Sequence, residues 1–79
     1  MDKSTVYHLD SFFANCERDG QGISTKESAQ MCDAVEALIR EIGIGVVLDL
    51  DPEMKSRTGK VILRRALNNV VPGFSKLFV

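Results

Sequence analysis

Residues 24–43, STKESAQMCDAVEALIREIG, predict a helix with defined ends and point to a helical fold. Ser24 and Glu27 have the spacing of a capping box, in which each side chain bonds the backbone N–H of the other residue. Gly43 is a typical C-terminal cap. Between these ends, apolar residues recur at steps of three and four, as on the buried side of an amphipathic helix: Met31, Ala34, Val35, Leu38 and Ile42.

A first helix is predicted upstream, over residues 5–18. Its apolar residues also recur at helical spacing, which predicts that they share one buried face: Val6, Leu9, Phe12, Phe13 and Cys16. Asp10 and Glu17 are expected away from this face. Asp19-Gly20 and Gly22 are turn residues that end the helix.

A third long helix is predicted downstream. Asp51 is expected to cap it, with Pro52 at its first position and Pro72 just beyond its end. Gly59 weakens its first half, so regular helix is expected from about Lys60. The apolar side chains cluster on one side of this helix: Ile62, Leu63, Ala66, Leu67 and Val70.

Residues 46–50 are ambiguous, because their apolar side chains alternate as in a strand but also fit a short buried helix. We therefore predict a mainly α fold. It is a single domain, residues 1–79, built as a compact bundle of three long helices plus a short fourth helix or isolated strand at about 46–50. The alternative is a small α+β fold with a minor two-stranded sheet, in which the tail FSKLFV supplies the second strand.

Charge is divided along the chain. Residues 1–53 carry eleven acids and four bases, a net charge of −7, whereas residues 54–79 carry six bases and no acid, a net charge of +6. Such polarity bears on association with partners. It also allows the two halves to pair with each other, within one chain or in a dimer.

Each half offers a candidate binding surface. The acidic candidates could engage a basic protein surface, and they are Asp33, Glu36, Glu41, Asp49 and Asp51. The basic candidates could contact phosphates and base edges of a nucleic acid, and they are Arg57, Lys60, Arg64 and Arg65. The apolar tail offers a contact for self-association through Phe74, Leu77 and Phe78.

The sequence shows no group of residues at a spacing typical of a catalytic site. His8 is the one histidine and no spacing ties it to a nucleophile. Two cysteines, Cys16 and Cys32, lie on apolar helical faces and are expected to act as small core residues. We predict no enzyme activity, no cofactor and no metal site. No apolar run reaches the roughly 20 residues of a membrane helix, and the start of the chain does not resemble a signal peptide, so a cytoplasmic protein without membrane contact is expected.

The segment ERDGQGISTKE, residues 17–27, resembles the calcium-binding loop of the EF-hand family. Oxygen-bearing side chains and a glycine occur in the order that this loop uses: Glu17, Asp19, Gln21, Gly22, Ser24 and Glu27. The segment is one residue short, between Gly22 and Ile23, and no second hand follows. The preferred interpretation is a helix–helix turn, and a degenerate calcium-binding hand is the third functional hypothesis.

The first functional hypothesis is a small non-enzymatic interaction protein that binds and modulates a macromolecular partner. Inhibition is the expected form of modulation, as in phage- or plasmid-borne inhibitors of nucleic-acid-handling machinery. This comparison rests on similar size and charge alone. A protein partner is expected. The second hypothesis is a nucleic-acid-binding regulator that uses the basic C-terminal helix. A homodimer is compatible with both.

Overall fold

A computed structural model describes residues 3–73 as four α-helices joined by short connections. They are α1 (Lys3–Arg18), α2 (Thr25–Ile42), α3 (Gly45–Leu50) and α4 (Arg57–Val70), and a 3-10 turn, Asp51–Glu53, separates α3 from α4. The predicted mainly α fold is confirmed. Residues 3–73 contain no strand, and the tail residues Phe74, Leu77 and Phe78 lie outside the described part.

Helix α2 is the centre of the bundle, because it packs most extensively on α4 and also contacts α1 and α3. Its capping box is confirmed: the N–H of Glu27 donates to Ser24 Oγ at 3.2 Å, and the N–H of Ser24 donates to Glu27 Oε2 at 3.2 Å. At its other end, Gly43 takes a φ of 105° and donates its N–H to the carbonyl of Ile39. Both predicted ends therefore hold.

The ambiguous segment 46–50 is helical, as part of α3. Val46, Val47 and Leu50 are buried, whereas Leu48 is 48% exposed. This burial follows helical spacing and not the alternation of a strand. A strand here would need a partner for its backbone groups, whereas a helix satisfies them internally.

Helix α4 begins after the predicted Asp51-Pro52 start but before Lys60, where regular helix was expected. Pro52 lies in the 3-10 turn, Met54 is extended, and Ser56 is the N-cap of a helix that starts at Arg57. Asp51 does not cap α4, since its carboxylate bonds Arg64 instead. The predicted apolar side of α4 is confirmed for Ile62, Leu63, Ala66 and Leu67, which are buried.

The buried face of α1 is rotated relative to the prediction. Val6, Phe13 and Cys16 are buried, but Phe12 is 40% exposed, and Asp10 is buried in its place. Spacing alone does not exclude this arrangement, because residue 10 lies four after Val6 and three before Phe13 on the same side. The backbone N–H groups of Lys55 and Ser56 bring Asp10 inward, because its carboxylate accepts a hydrogen bond from each.

The core is one apolar cluster to which all four helices contribute. Its fully enclosed members include Val6, Phe13, Met31, Val35, Leu38, Val47, Leu50, Leu63 and Leu67. Among the described residues, no helix combines the length and apolar character needed to cross a membrane.

Candidate functional site

A buried carboxylate on α1 holds the segment that leads into α4. Asp10 is only 2% exposed. Its Oδ2 accepts the N–H of Lys55 at 2.9 Å, and its Oδ1 accepts the N–H of Ser56 at 3.0 Å. Hydrogen bonds to a carboxylate are stronger than bonds between neutral groups. This pair fixes the backbone just before α4.

Ser56 joins the same network as the N-cap of α4. Its Oγ accepts the N–H of Gly59 at 3.0 Å, and its hydroxyl donates to the carboxylate of Glu17. The Ser56 hydroxyl and the backbone N–H groups of Thr58 and Arg57 lower the pKa of Glu17, with a smaller contribution from the Arg57 guanidinium. Two α1 carboxylates thus face the positive end of α4.

Gly59 lets α4 approach Asp10 closely. A Cβ at this position would lie 2.6 Å from Asp10 Oδ1. Real Cβ atoms do not come this close to an oxygen, and this oxygen is held by the N–H of Ser56. The sequence suggests that Gly59 weakens the helix. In the structure it is instead required for close packing of α4 against Asp10.

We expect Gly59→Ala to destabilise the fold although alanine is the better helix former. The gain in helix propensity is about 1 kcal/mol, whereas forcing a group into a packed interface costs about 1–3 kcal/mol, and the Asp10 bonds are also disturbed. Thermal unfolding followed by circular dichroism measures the net effect. Gly45→Ala is the matched control, because Gly45 is also helical and a Cβ there meets no atom within 4 Å. A Gly59→Ala variant at least as stable as Gly45→Ala would contradict the expectation.

A pocket of about 300 Å³ opens where this network ends, and three cations line it. We call it the basic pocket; its lining is Met54, Lys55, Ser56, Arg57 and Lys60. In the described part of the chain, the side chains of Lys55, Arg57 and Lys60 form no hydrogen bond or ion pair. Their positive charge faces the pocket, although Glu17 lies close enough to Arg57 to feel its charge.

The structure separates the four predicted basic residues. Arg57 and Lys60 line the basic pocket. Arg64 forms a two-pronged ion pair with Asp51, Nε to Oδ1 and Nη2 to Oδ2, each at 3.1 Å, which raises the pKa of Arg64. Arg65 lies in a different pocket, beside Cys32 and Asp33 on α2. The charged halves of the chain therefore pair in part within the fold, through Asp51 and Arg64.

The predicted acidic residues lie on three elements. Asp33, Glu36 and Glu41 are on α2, Asp49 is on α3, and Asp51 is in the 3-10 turn. Glu36 is half-buried and accepts from Arg40 at 3.5 Å and from the Cys32 thiol at 3.2 Å. Since Glu36 and Asp51 have partners inside the fold, fewer acids than predicted are available for a partner protein.

The cysteines are free thiols: Cys16 is buried and Cys32 half-buried. Burial and the nearby Glu36 raise the pKa of Cys32 to about 11, so this thiol is protonated at neutral pH. The thiolate is the reactive form, and Cys32 is therefore a poor nucleophile.

In the turn that resembles an EF-hand loop, the first and last acidic residues bind other groups of the protein. Glu17 accepts from Ser56, and Glu27 belongs to the capping box. Within residues 3–73, no three Asp, Glu, His or Cys side chains are grouped so that they could hold a metal ion. The positions of Glu17 and Glu27 support the helix–helix turn.

Two residues of the site were missed by sequence reasoning. Lys55 was not among the basic candidates, because it does not share the three- and four-residue spacing of Arg57, Lys60 and Arg64. Ser56 was passed over because Asp51-Pro52 looked like the stronger start. The pattern Ser56-x-x-Gly59 did carry a signal, since serine is a preferred N-cap.

Comparisons with protein-family models, curated proteins and solved structures give no match to this chain.

Proposed function

We propose the second of the functional hypotheses: this chain is a small non-enzymatic regulator that binds nucleic acid, here at the basic pocket, and thereby limits the access of other proteins to it. One observation carries the proposal: Lys55, Arg57 and Lys60 converge on one pocket without an ion pair of their own. Unpaired cations grouped on a surface are what a phosphate backbone binds.

The contact would be made by side chains and not by the end of the helix. Although helix N-termini bind anions, the first N–H groups of α4 are occupied by Ser56 and Glu17. Lysine and arginine reach outward and tolerate several positions of a phosphate. The proposed binding is therefore to the backbone and independent of base sequence.

The negative half of the chain need not oppose such binding. Asp51 is paired with Arg64, and Asp10 faces the backbone N–H groups of Lys55 and Ser56 and does not line the basic pocket, although its charge still weakens binding. Glu17 is the acid that acts on Arg57, so it limits the affinity without abolishing it. A chain bound to a few phosphates also prevents other proteins from binding them. In this way it would inhibit proteins that act on the same nucleic acid.

Salt dependence tests this proposal. If the protein contacts three phosphates, raising the salt from roughly 50 to 200 mM should weaken duplex binding about 40-fold. The measurement is fluorescence anisotropy of labelled duplex and single-stranded DNA and RNA, each of two unrelated sequences. The double variant Arg57→Gln/Lys60→Gln should bind all of them more weakly, and its salt effect on duplex binding should shrink to about threefold to fourfold.

The matched control is Lys26→Gln/Arg40→Gln, which removes the same charge from α2, outside the basic pocket. We expect the control to keep most of the affinity and the salt slope. Equal losses in the two variants would mean that net charge alone matters. Absence of binding at both salt concentrations would reject a nucleic-acid partner.

A further inference from the structure

We propose a second binding surface, separate from the basic pocket: a groove between α1 and α2 that takes a basic amphipathic segment of a partner protein. Two adjoining cavities of about 430 and 340 Å³ form this groove, and His8, Leu9 and Gln30 line both. We call it the α1–α2 groove. Its other lining residues are Thr5, Asp33 and Ala34 at one end and Phe12 and Glu27 at the other.

The groove contains an aromatic anchor that the core does not use. Phe12 is 40% exposed at the edge of the groove. Its ring stands edge-on to buried Phe13, with ring centroids 6.0 Å apart and planes at 60°. A contact with a fixed neighbour restricts the ring, so a partner would find it already positioned. Aromatic residues in pre-organised positions are frequent hot spots of protein interfaces.

Charge indicates which partner fits. Asp33 lies at one end of the groove and Glu27 at the other, and no Lys or Arg lines it in the described part of the chain. The side chain of Asp33 is exposed and forms no hydrogen bond among the described residues. Acids at both ends repel phosphate and attract lysine or arginine.

The occupant we infer is therefore a helical segment of another protein, with apolar side chains at a spacing of three or four and with Lys or Arg at its flanks. Such a helix lays its apolar side on Phe12 and Leu9 and places its basic ends near Asp33 and Glu27. This is the helix-in-groove mode of recognition. The inference does not depend on nucleic-acid binding at the basic pocket.

A random library of displayed 16-residue peptides, selected on the intact chain, tests this inference. We expect the selected peptides to carry an apolar anchor flanked by Lys or Arg. Synthetic copies should bind the Phe12→Ser variant at least tenfold more weakly, as for a hot-spot residue. Asp33→Asn should weaken them about twofold to fivefold, as for an exposed charge pair.

Two controls separate this groove from other surfaces. Leu48→Ser removes an apolar side chain of similar exposure, 48%, from α3. Arg57→Gln/Lys60→Gln alters the basic pocket. Both should leave peptide affinity within twofold of the parent, and circular dichroism should show that every variant is folded.

Several results would overturn the inference. They are a selection that enriches no peptide above the bare support, recovered peptides that are acidic, and peptides that bind Phe12→Ser as tightly as the parent. Sedimentation of the free chain gives the last test: a dimer that Phe12→Ser dissociates would assign the groove to a second copy and not to a partner protein.

Discussion

Replacing Phe13 by alanine should destabilise the fold by about 3–5 kcal/mol, as is usual for a buried phenylalanine. Phe13 is fully buried in the core cluster. A domain of this size has a total stability of roughly 4–12 kcal/mol, so the variant should lie near the limit of folding. Urea denaturation followed by circular dichroism gives the change, read from the midpoint at constant slope.

Phe12→Ala provides the matched control, since the two phenylalanines are adjacent on α1. Phe12 keeps 40% of its surface exposed and contacts Phe13 edge-on. Its removal should cost less, about 2 kcal/mol, because the aromatic edge contact adds to the partial burial of the ring. Equal losses from the two variants would show that both rings belong to the core, as spacing alone had predicted.

These two residues illustrate what hydrophobic spacing can and cannot establish. The pattern predicts that α1 is helical, because apolar residues recur every three or four positions. It does not fix the rotation of the helix within about one residue, since Phe12 and Phe13 fit the pattern equally well. The choice is made by contacts with the segment just before α4, which is remote in sequence: Asp10 must face Lys55 and Ser56.

Helix ends show the same division between local and remote causes. The capping box of α2 and its terminal Gly43 involve only neighbouring residues, and both were predictable. The start of α4 was mispredicted because the locally strong signal at Asp51-Pro52 competes with a tertiary one. Asp51 is drawn to Arg64, and Asp10 fixes the backbone at Ser56. No rule based on neighbours along the chain contains these contacts.

The candidate site was predictable only in its residue types. A run of bases after residue 53 indicated a positive surface, and Arg57 and Lys60 do line one pocket. Which bases remain available depends on where the acids of the first half lie. Asp51 neutralises Arg64, whereas none of the described acids pairs with Lys55 or Lys60.

Removing the Asp10 carboxylate should have the second large effect. In Asp10→Ala the N–H groups of Lys55 and Ser56 lose their acceptor, and the N–H of Ser56 is buried. Each hydrogen bond to a charged group contributes about 1.5–3 kcal/mol. We expect a loss of about 3 kcal/mol or more, which corresponds to a fall in Tm of at least about 10 °C for a domain of this length.

Two further variants provide reference values for the stability loss of Asp10→Ala. Ser11→Ala alters an exposed neighbour on α1 and should change stability by less than about 0.5 kcal/mol. Asp10→Asn keeps an acceptor for one of the two N–H groups and should lie between Ser11→Ala and Asp10→Ala. If Asp10→Ala fails to fold, the ranking of Asp10→Asn against Ser11→Ala still measures the contact.

Asp10 should also act on binding, although it does not line the basic pocket. Its bonds position the backbone of Lys55 and Ser56, and Lys55 carries the proposed phosphate contacts together with Arg57 and Lys60. At a temperature where Asp10→Asn is fully folded, its affinity for duplex DNA should therefore fall although no cation has been removed. Removing a negative charge would by itself strengthen binding to phosphate, so a weaker complex would indicate that the pocket and its cations are displaced. An affinity equal to or above that of the parent would show that Asp10 serves stability alone.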